Sequence, residues 1–286
     1  MDVALVSCAE LPEFDIDAAP LQAGLSSAGL SSRVLAWDDP GVDWSLARMT
    51  VFRSSWNYPL HRDEFLAWAE STAQVTDLWN RVDVVRWNSH KSYLLTLEQK
   101  GIPVVPTVLL PRGSNTALAE IVAERGWRGV VIKPAVSAAS LGTRRFDVTV
   151  HEEGEVYLRA LVGQRDVLVQ PHLPSVESYG ERALVWIDGA ITHAVRKSPR
   201  FEGQAESVSS TVVAISPAER ALAQRAVAAV AGPLLYGRVD LAPGLDGQPV
   251  VMELELVEPS LFFAQRPQAL ERFVAAIRRH LSAPNR

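Results

Sequence analysis

The chain of 286 residues is 48% hydrophobic, with a formal net charge of −5 and a pI near 5.7. That length favours about two domains with a real core, and the acidic balance argues against nucleic acid, whose binding needs a basic stripe that releases counterions. One cysteine, Cys8, excludes an internal disulfide, the Met-Asp start lacks the basic flank and apolar run of a secretory signal, and no run approaches the ~18 apolar residues of a membrane span, so a globular protein of the cytoplasm is expected.

From the amino terminus, VALVSC, AAPLQAGLSSAG (stopped by Gly29), RVLAW, MTVFRS and RDEFLAWAEST alternate short apolar runs with amphipathic ones. The rhythm predicts βαβ units around a parallel sheet. Cys8, ending the first strand, reads as a small buried hydrophobe rather than a nucleophile. The loop past MTVFRS, with Arg53, Trp56, Asn57 and Tyr58, falls where an open α/β sheet recognises its substrate. Arg53 suits a carboxylate clamp, whereas Trp56 and Tyr58 read equally well as core anchors for the next helix. SHKSYLLTLEQKG is a helix closed by Gly101, and the two prolines of IPVVPTVLL predict an edge strand or a crossing between lobes.

Next come the strand GVVIKP, the small-residue loop VSAASLGT, a helix around EEGEVYLRALVGQ and the strand DVLVQPHL. ERALVWI and AITHAVRK form a hairpin whose Asp188-Gly189 dipeptide suits a type I′ turn. That turn sets Glu181 opposite Arg196, a pairing that is structural for Glu181, while Arg196 opens the polar loop RFEGQAESVSS and reads as a substrate or phosphate contact. Ser216-Pro217-Ala218-Glu219 is a capping box with proline at the first helical position, and the helix it starts runs to Gly232.

The last strands, around YGRVDLAPGLDGQPVVMELELVEPS, hold a second Asp-Gly pair. With Asp246 and Gly247 as the two turn residues, Asp240 lies opposite Glu253, Glu255 shares their face, and Met252, Leu254 and Leu256 point into the other layer. Three acids on one face raise one another's pKa unless a cation sits between them, and Mg²⁺ prefers carboxylate oxygen and completes its shell with phosphates. A solvated face whose acids meet arginines fits the spacing equally, and Pro243 and Pro249 can lengthen the turn and slip the register.

Only four of the 28 basic residues are lysines: Lys91, Lys100, Lys133 and Lys197. Where arginine does the ordinary surface work, a retained lysine points to a need for a compact charge that can follow phosphate. Lys133 ends VVIKP before a Ser, Ala and Gly run able to bring backbone N–H groups to phosphate oxygens; the alternative is a strand-end lysine before an ordinary turn. Lys100 is a cation at a helix C-terminus. Walker A, GxGxxG, GxSxG and HExxH sequences are absent, and the six histidines show no ligand spacing.

RSSWNYPLHRDEFLAWA, LWNRVDVVRWNSHKSYLLTLEQKGIPVVPT, VVIKPAVSAASLGT and VVMELELVEPSLFF together resemble the ATP-grasp superfamily over nearly the whole chain, and within it the D-cycloserine synthetases, the O-ureido-D-serine cyclo-ligases. The resemblance implies an α/β frame of the α+β ATP-grasp type: an amino-terminal βαβ parallel-sheet domain (1–103), a central lobe with a phosphate loop (104–173) and a carboxy-terminal lobe with a metal-binding hairpin (174–286), nucleotide lying between the lobes. It implies that Lys91 and Lys133 are the nucleotide lysines, and that VSAASLGT is the phosphate lid, with Ser137, Ser140 and Gly142. Gln170, His172 and Leu173 lie on the strand that reads adenine, and Glu177 binds ribose. Asp240, Glu253 and Glu255 match the metal triplet, although the superfamily usually has asparagine at the third position. Arg238 matches the arginine that stabilises the intermediate, and Lys197 and Arg200 sit in a second loop near the γ phosphate.

Such a ligase uses ATP and Mg²⁺, with Mn²⁺ as a substitute, to activate a substrate carboxylate as an acyl phosphate for attack by nitrogen. The family implies cyclisation of an O-ureido-serine-like amino acid to D-cycloserine. The alternatives are intermolecular ligation of amino acids or peptides, and a non-catalytic nucleotide-binding regulator. A homodimer is the common state of such ligases, and the tail helix ALERFVAAIRRHL serves either a core or an interface.

Overall fold

The computed structural model describes residues 1–138, 140–147, 151–198 and 207–282, arranged as three four-stranded sheets. The first sheet is parallel, in the order β2 (Ser32–Ala36), β1 (Val3–Ser7), β3 (Met49–Ser54), β4 (Asp77–Trp79). β1 and β3, the two inner strands, are buried along their whole length, polar Thr50, Arg53 and Ser54 included, as expected of a parallel sheet covered on both faces. One face carries α1 (Ala18–Ser27); the other carries α2 (Arg62–Thr72), whose Phe65 and Leu66 enter an aromatic core with Trp37, Trp44 and Phe52. Two short helices, α3 (Val82–Asn88) and α4 (Tyr93–Gln99), lead out of this sheet.

Residues 102–107 do both things the two prolines suggested. Val105 N–H donates to Val251 O and Val251 N–H to Pro103 O, each at 2.9 Å, so the crossing lies along the last strand. Beyond Pro106 the chain becomes β5 (Val108–Leu110), an edge of the central sheet β5-β8-β6-β7. Its other strands are β6 (Gly129–Pro134), β7 (Arg144–Asp147) and β8 (Val167–Pro171), all pairs antiparallel, with α5 (Leu118–Arg125) and α6 (His151–Val162) on one face.

The third sheet follows the short α7 (Pro174–Ser178) and is antiparallel, in the order β10 (Ala190–Lys197), β9 (Glu181–Ile187), β11 (Tyr236–Pro243), β12 (Pro249–Glu255). Asp188 and Gly189 have φ of 45° and 87°, both in the left-handed region that a type I′ turn demands. A bulge between Ile191 and His193 then shifts the register, so the expected Glu181–Arg196 pair does not form: Arg196 faces Arg182, and Lys197 faces Glu181. α8 (Pro217–Ala228) starts at the expected capping box, with Ser216 N–H donating to Glu219 at 2.8 Å, but ends four residues before Gly232. α9 (Pro267–Ser282) buries Phe273 and Ile277 against α1 and the third sheet, so the tail helix serves the core.

His193, beside that bulge, is 4% exposed, and burial together with the nearby Arg266 pulls its pKa down from 6.5 to about 4. Above pH 6.5 the imidazole is neutral in both folded and unfolded chains; below it the unfolded chain takes up a proton that the fold refuses, so this group's contribution to stability is lost as pH falls towards 4. Urea titrations at pH 7 and pH 5 are expected to show a loss of about 2 kcal/mol in wild type that is absent from His193→Gln. Equal losses in both proteins would disprove this assignment.

Candidate active site

β12 is the edge strand of its sheet, yet its free side is fully occupied. Asn88 donates to Leu254 O at 2.7 Å and accepts from Leu256 N–H at 2.8 Å, Tyr93 Oη accepts from Leu254 N–H at 3.0 Å, and Asn80 donates to Leu256 O at 2.7 Å. Backbone groups that would otherwise template another strand are thus satisfied by side chains from α3, α4 and the link before them. The strand bearing the carboxylates is locked in place independently of those carboxylates.

Asp240 does lie opposite Glu253, but not by way of a two-residue turn. The loop runs from Gly244 to Gln248, between paired Pro243 and Pro249, and a bulge between Asp240 and Leu241 takes up Met252 and restores the register. Two departures cancel. The bulge also corrects the expected placement of Met252: it lines the cleft and packs with Leu173 and Val176, while Leu254 and Leu256 are buried behind.

The two antiparallel sheets and the loops and short helices around the first sheet contribute to one cleft. Lys133, at the end of β6, donates to Glu253 Oε1 at 2.8 Å, and Lys91, between α3 and α4, lies 3.6 Å from Glu253 Oε2 while donating to Ser137 O at 2.8 Å. Both lysines are nearly buried, at 9% and 6% exposed for Lys91 and Lys133, and they share this one carboxylate. Burial by itself raises the Glu253 pKa, but Lys133 and Lys91 outweigh it and hold the group well below the usual range. Two cations against one anion leave a positive surplus facing the cleft, which suits phosphate oxygens.

Next to this trio, Arg238 donates to both oxygens of Asp240, at 2.8 and 3.0 Å, and also pairs with Glu255. Lys197 pairs with Asp240 and lies 3.1 Å from Glu181. Burial depresses the Lys197 pKa, but Asp240 and Glu181 more than reverse it. Burial pushes Glu255 up to about 7, with Asp240 and Glu253 adding to the rise against the pull of Arg238. Glu253 and Glu255 thus face the cleft with hard oxygen donors of the kind Mg²⁺ takes. Asp240, 0% exposed and held by two cations, serves in this arrangement as their counter-ion and would have to exchange Lys197 to join a metal shell. No three acidic, histidine or cysteine side chains among the described residues already form a closed metal cage.

At the other end, Gln170 donates to Thr107 Oγ1 at 2.9 Å, and Leu173, Val176 and Met252 make an apolar wall. His172 Nε2 is 3.3 Å from Glu177, which also pairs with Arg145. The loop joining β6 to β7 brings Ser137 and Ser140 to the cleft. Gly142 shapes that loop without lining it: its φ is 66°, and a Cβ there would sit 3.0 Å from Pro134 Cγ. Ala139 of this loop and Arg200 of the second one lie outside the described residues.

Besides Gly142 and the fully buried Asp240, three more expected contacts are not on the cleft. Arg53 is 2% exposed and turned inward, donating to Pro259 O at 3.0 Å and lying 3.6 Å from Asp17, so it holds backbone rather than clamping a substrate carboxylate. Asn57 donates to Asp38 and accepts from Trp37, each at 2.7 Å. Arg196 is exposed and packs over the Tyr179 ring, because alternation along β10 gives the cleft-facing position to Lys197. Trp56 and Tyr58 do line the cleft. Sequence reasoning left unassigned Glu13, Asn88, Tyr93, Arg145, Glu258 and Ser260, which also line it. Glu258 was visible as a third carboxylate in VVMELELVEPS, but it follows the end of β12 and so escapes the alternation that picked out Glu253 and Glu255.

A parallel sheet joined to two antiparallel lobes, with lysines and carboxylates meeting between them, is the fold of the ATP-grasp ligases. Among solved structures, D-alanyl-alanine synthetase A from Vibrio cholerae superposes with a TM-score of 0.74 over 98% of each chain at 15% identity. The ATP-grasp ligase PsnB gives 0.66 over 98% of this chain and 99% of its own, at 16% identity. The crystal structure of the D-cycloserine synthetase DcsG matches with a TM-score of 0.90 and 33% identity over 99% of this chain and 100% of its own. In sequence, the cycloserine biosynthesis protein DcsG of Streptomyces lavendulae is 34% identical over 98% of both chains, and the model of the DcsG N-terminal domain matches residues 3–80. The chain belongs to the DcsG family and is an ATP-grasp carbon–nitrogen ligase.

Proposed function

We propose that the protein closes the ring of an O-ureido-serine-like amino acid, activating its carboxylate with ATP for attack by the substrate's own nitrogen. The observation that carries the ATP-dependent step is the pair of nearly buried lysines sharing Glu253, a surplus of positive charge built for phosphate. Similarity along the whole chain to a cycloserine biosynthesis protein supports the choice of substrate.

In this reading Lys91 and Lys133 hold the phosphates, with Ser137 and Ser140 beside them, and Gln170, His172, Leu173, Met252 and Glu177 receive the nucleoside. Glu253 and Glu255 hold Mg²⁺, which supplies charge neutralisation to the transferring phosphoryl group. Arg238 and Lys197, oriented by Asp240, present fixed positive charge to the oxygens of the activated carboxylate. Trp56 and Tyr58 exclude water from the reacting end, protecting an acyl phosphate from hydrolysis. Tethering of nucleophile and carboxylate in one molecule supplies an effective molarity of ~10⁵ M or more, so no second amino-acid pocket is needed. The lobe divisions at 103 and 173 belong to the same reading, as does a location in the cytoplasm.

Phosphate release from Mg·ATP should require O-ureido-D-serine and should not be supported by its L-isomer or by D-serine alone, with a ring product by mass spectrometry. Release with pairs of amino acids and none with the ureido compound would replace cyclisation by intermolecular ligation.

A further inference from the structure

The segment that follows β12 is fixed residue by residue by side chains from elsewhere. Tyr236 Oη donates to Val257 O at 2.6 Å, Trp56 Nε1 to Glu258 O at 2.9 Å, Arg53 to Pro259 O at 3.0 Å and Arg238 to Ser260 O at 3.2 Å. Asp17 then accepts from the N–H groups of Leu261, Phe262 and Phe263 at distances between 2.5 and 3.1 Å. Glu258 is therefore delivered to the cleft by backbone with no freedom to re-aim it, the support expected of a preorganised contact.

Its surroundings differ from those of the other carboxylates on this strand. Glu253 is held by Lys133 and Lys91, and Glu255 by Arg238, whereas among the described residues Glu258 forms no ion pair. Lys91 and Arg238 act on it only from beyond ion-pair distance, and Tyr58 lies beside it. Tyr58, 4% exposed, and Trp56 line the same end of the cleft. A half-buried carboxylate at the aromatic end of the cleft, without a cation, carries a desolvation penalty that a small cation would remove. A primary ammonium does this best, donating to the carboxylate while resting against ring faces.

We propose that Glu258, walled by Trp56 and Tyr58, is the receptor for the primary ammonium group of the amino-acid substrate. This rests on the ligase reading above and adds an orientation to it: an α-amino acid held there by its ammonium carries the adjacent carboxylate towards Arg238. The chemistry also sets specificity, since a hydroxy acid or an N-acylated amino acid offers no cation.

Glu258→Gln keeps the shape and an acceptor oxygen but removes the charge. Wild type and E258Q, loaded with Mg²⁺ and a non-hydrolysable ATP analogue, are titrated with O-ureido-D-serine and with its desamino counterpart, 3-(carbamoylaminooxy)propanoic acid; D-serine and 3-hydroxypropanoic acid are run as a second pair. The amines should bind E258Q about 10- to 100-fold more weakly, the desamino compounds should bind both proteins alike, and the nucleotide analogue should bind both within about twofold. In turnover the loss should appear in KM rather than kcat. Equal weakening of amine and desamino ligands, no weakening of either amine, or a wild type that does not distinguish amine from desamino compound overturns the proposal. Failure of wild type to bind the nucleotide analogue would overturn the ligase reading as well, so the two failures are told apart.

Discussion

Replacing Glu253 by glutamine is expected to reduce Mg-dependent ADP formation by about 10²- to 10³-fold or more, with the chain still folded. Glu253 has two positions of influence: it faces the cleft as a metal donor, and it is the carboxylate that Lys91 and Lys133 share. The fold survives because β12 is held through its backbone by Asn88, Tyr93 and the crossing at Pro103–Val105, none of which uses the Glu253 side chain. Without that carboxylate, however, two nearly buried ammonium groups face each other across a neutral amide. Free E253Q should therefore melt earlier than wild type and recover most of the difference when ATP is added without metal, since phosphate oxygens replace the missing counter-ion. Melting curves with and without nucleotide, beside a coupled ADP assay, check both halves. Normal turnover in E253Q would remove Glu253 from the metal site.

Asp17→Ala should be the most damaging substitution for stability outside the cleft, at about 3–5 kcal/mol. Asp17 is 1% exposed and accepts three consecutive backbone N–H groups, and its partner Arg53 is 2% exposed. Burial pushes the Asp17 carboxyl above its usual range, and Arg53 and the N–H groups of Phe263 and Leu261 offset part of that rise. Alanine leaves the three donors and a buried guanidinium without their shared acceptor. Asp17→Asn should lose less, because one carbonyl oxygen remains for the donors. Urea unfolding of the two variants should rank them in that order; a loss below about 1 kcal/mol for Asp17→Ala would show the pocket to be relieved by water.

The alternation of β1, α1, β2 and β3 was legible because short apolar runs and a glycine stop leave one economical arrangement, and the Asp188-Gly189 turn because its dihedral demand is specific. What escaped were the bulges. At Ile191–His193 an extra residue moved Glu181 from Arg196 to Lys197, and nothing in AITHAVRK marks that position. At Asp240–Leu241 a second bulge rescued the Asp240–Glu253 pairing from a loop longer than assumed. Arg53 was misjudged for a different reason: a strand-end arginine carries the same letters whether it meets a ligand or a carbonyl 206 residues away. The cleft lysines were more legible, since their rarity in this sequence separated them from ordinary surface cations.

The core beneath the first sheet joins Val3, Leu5, Leu21 and Leu25 to Phe262, Phe273 and Ile277. A ribosome makes the two sides of that core far apart in time, since Asp17 and the Leu261 it holds are 244 residues apart. When α1 emerges, the surface it will cover has not been synthesised, and the apolar face of the nascent first sheet stays open to water, or to a chaperone, until α9 has been made. A helix made late finishes the core of the sheet that came early.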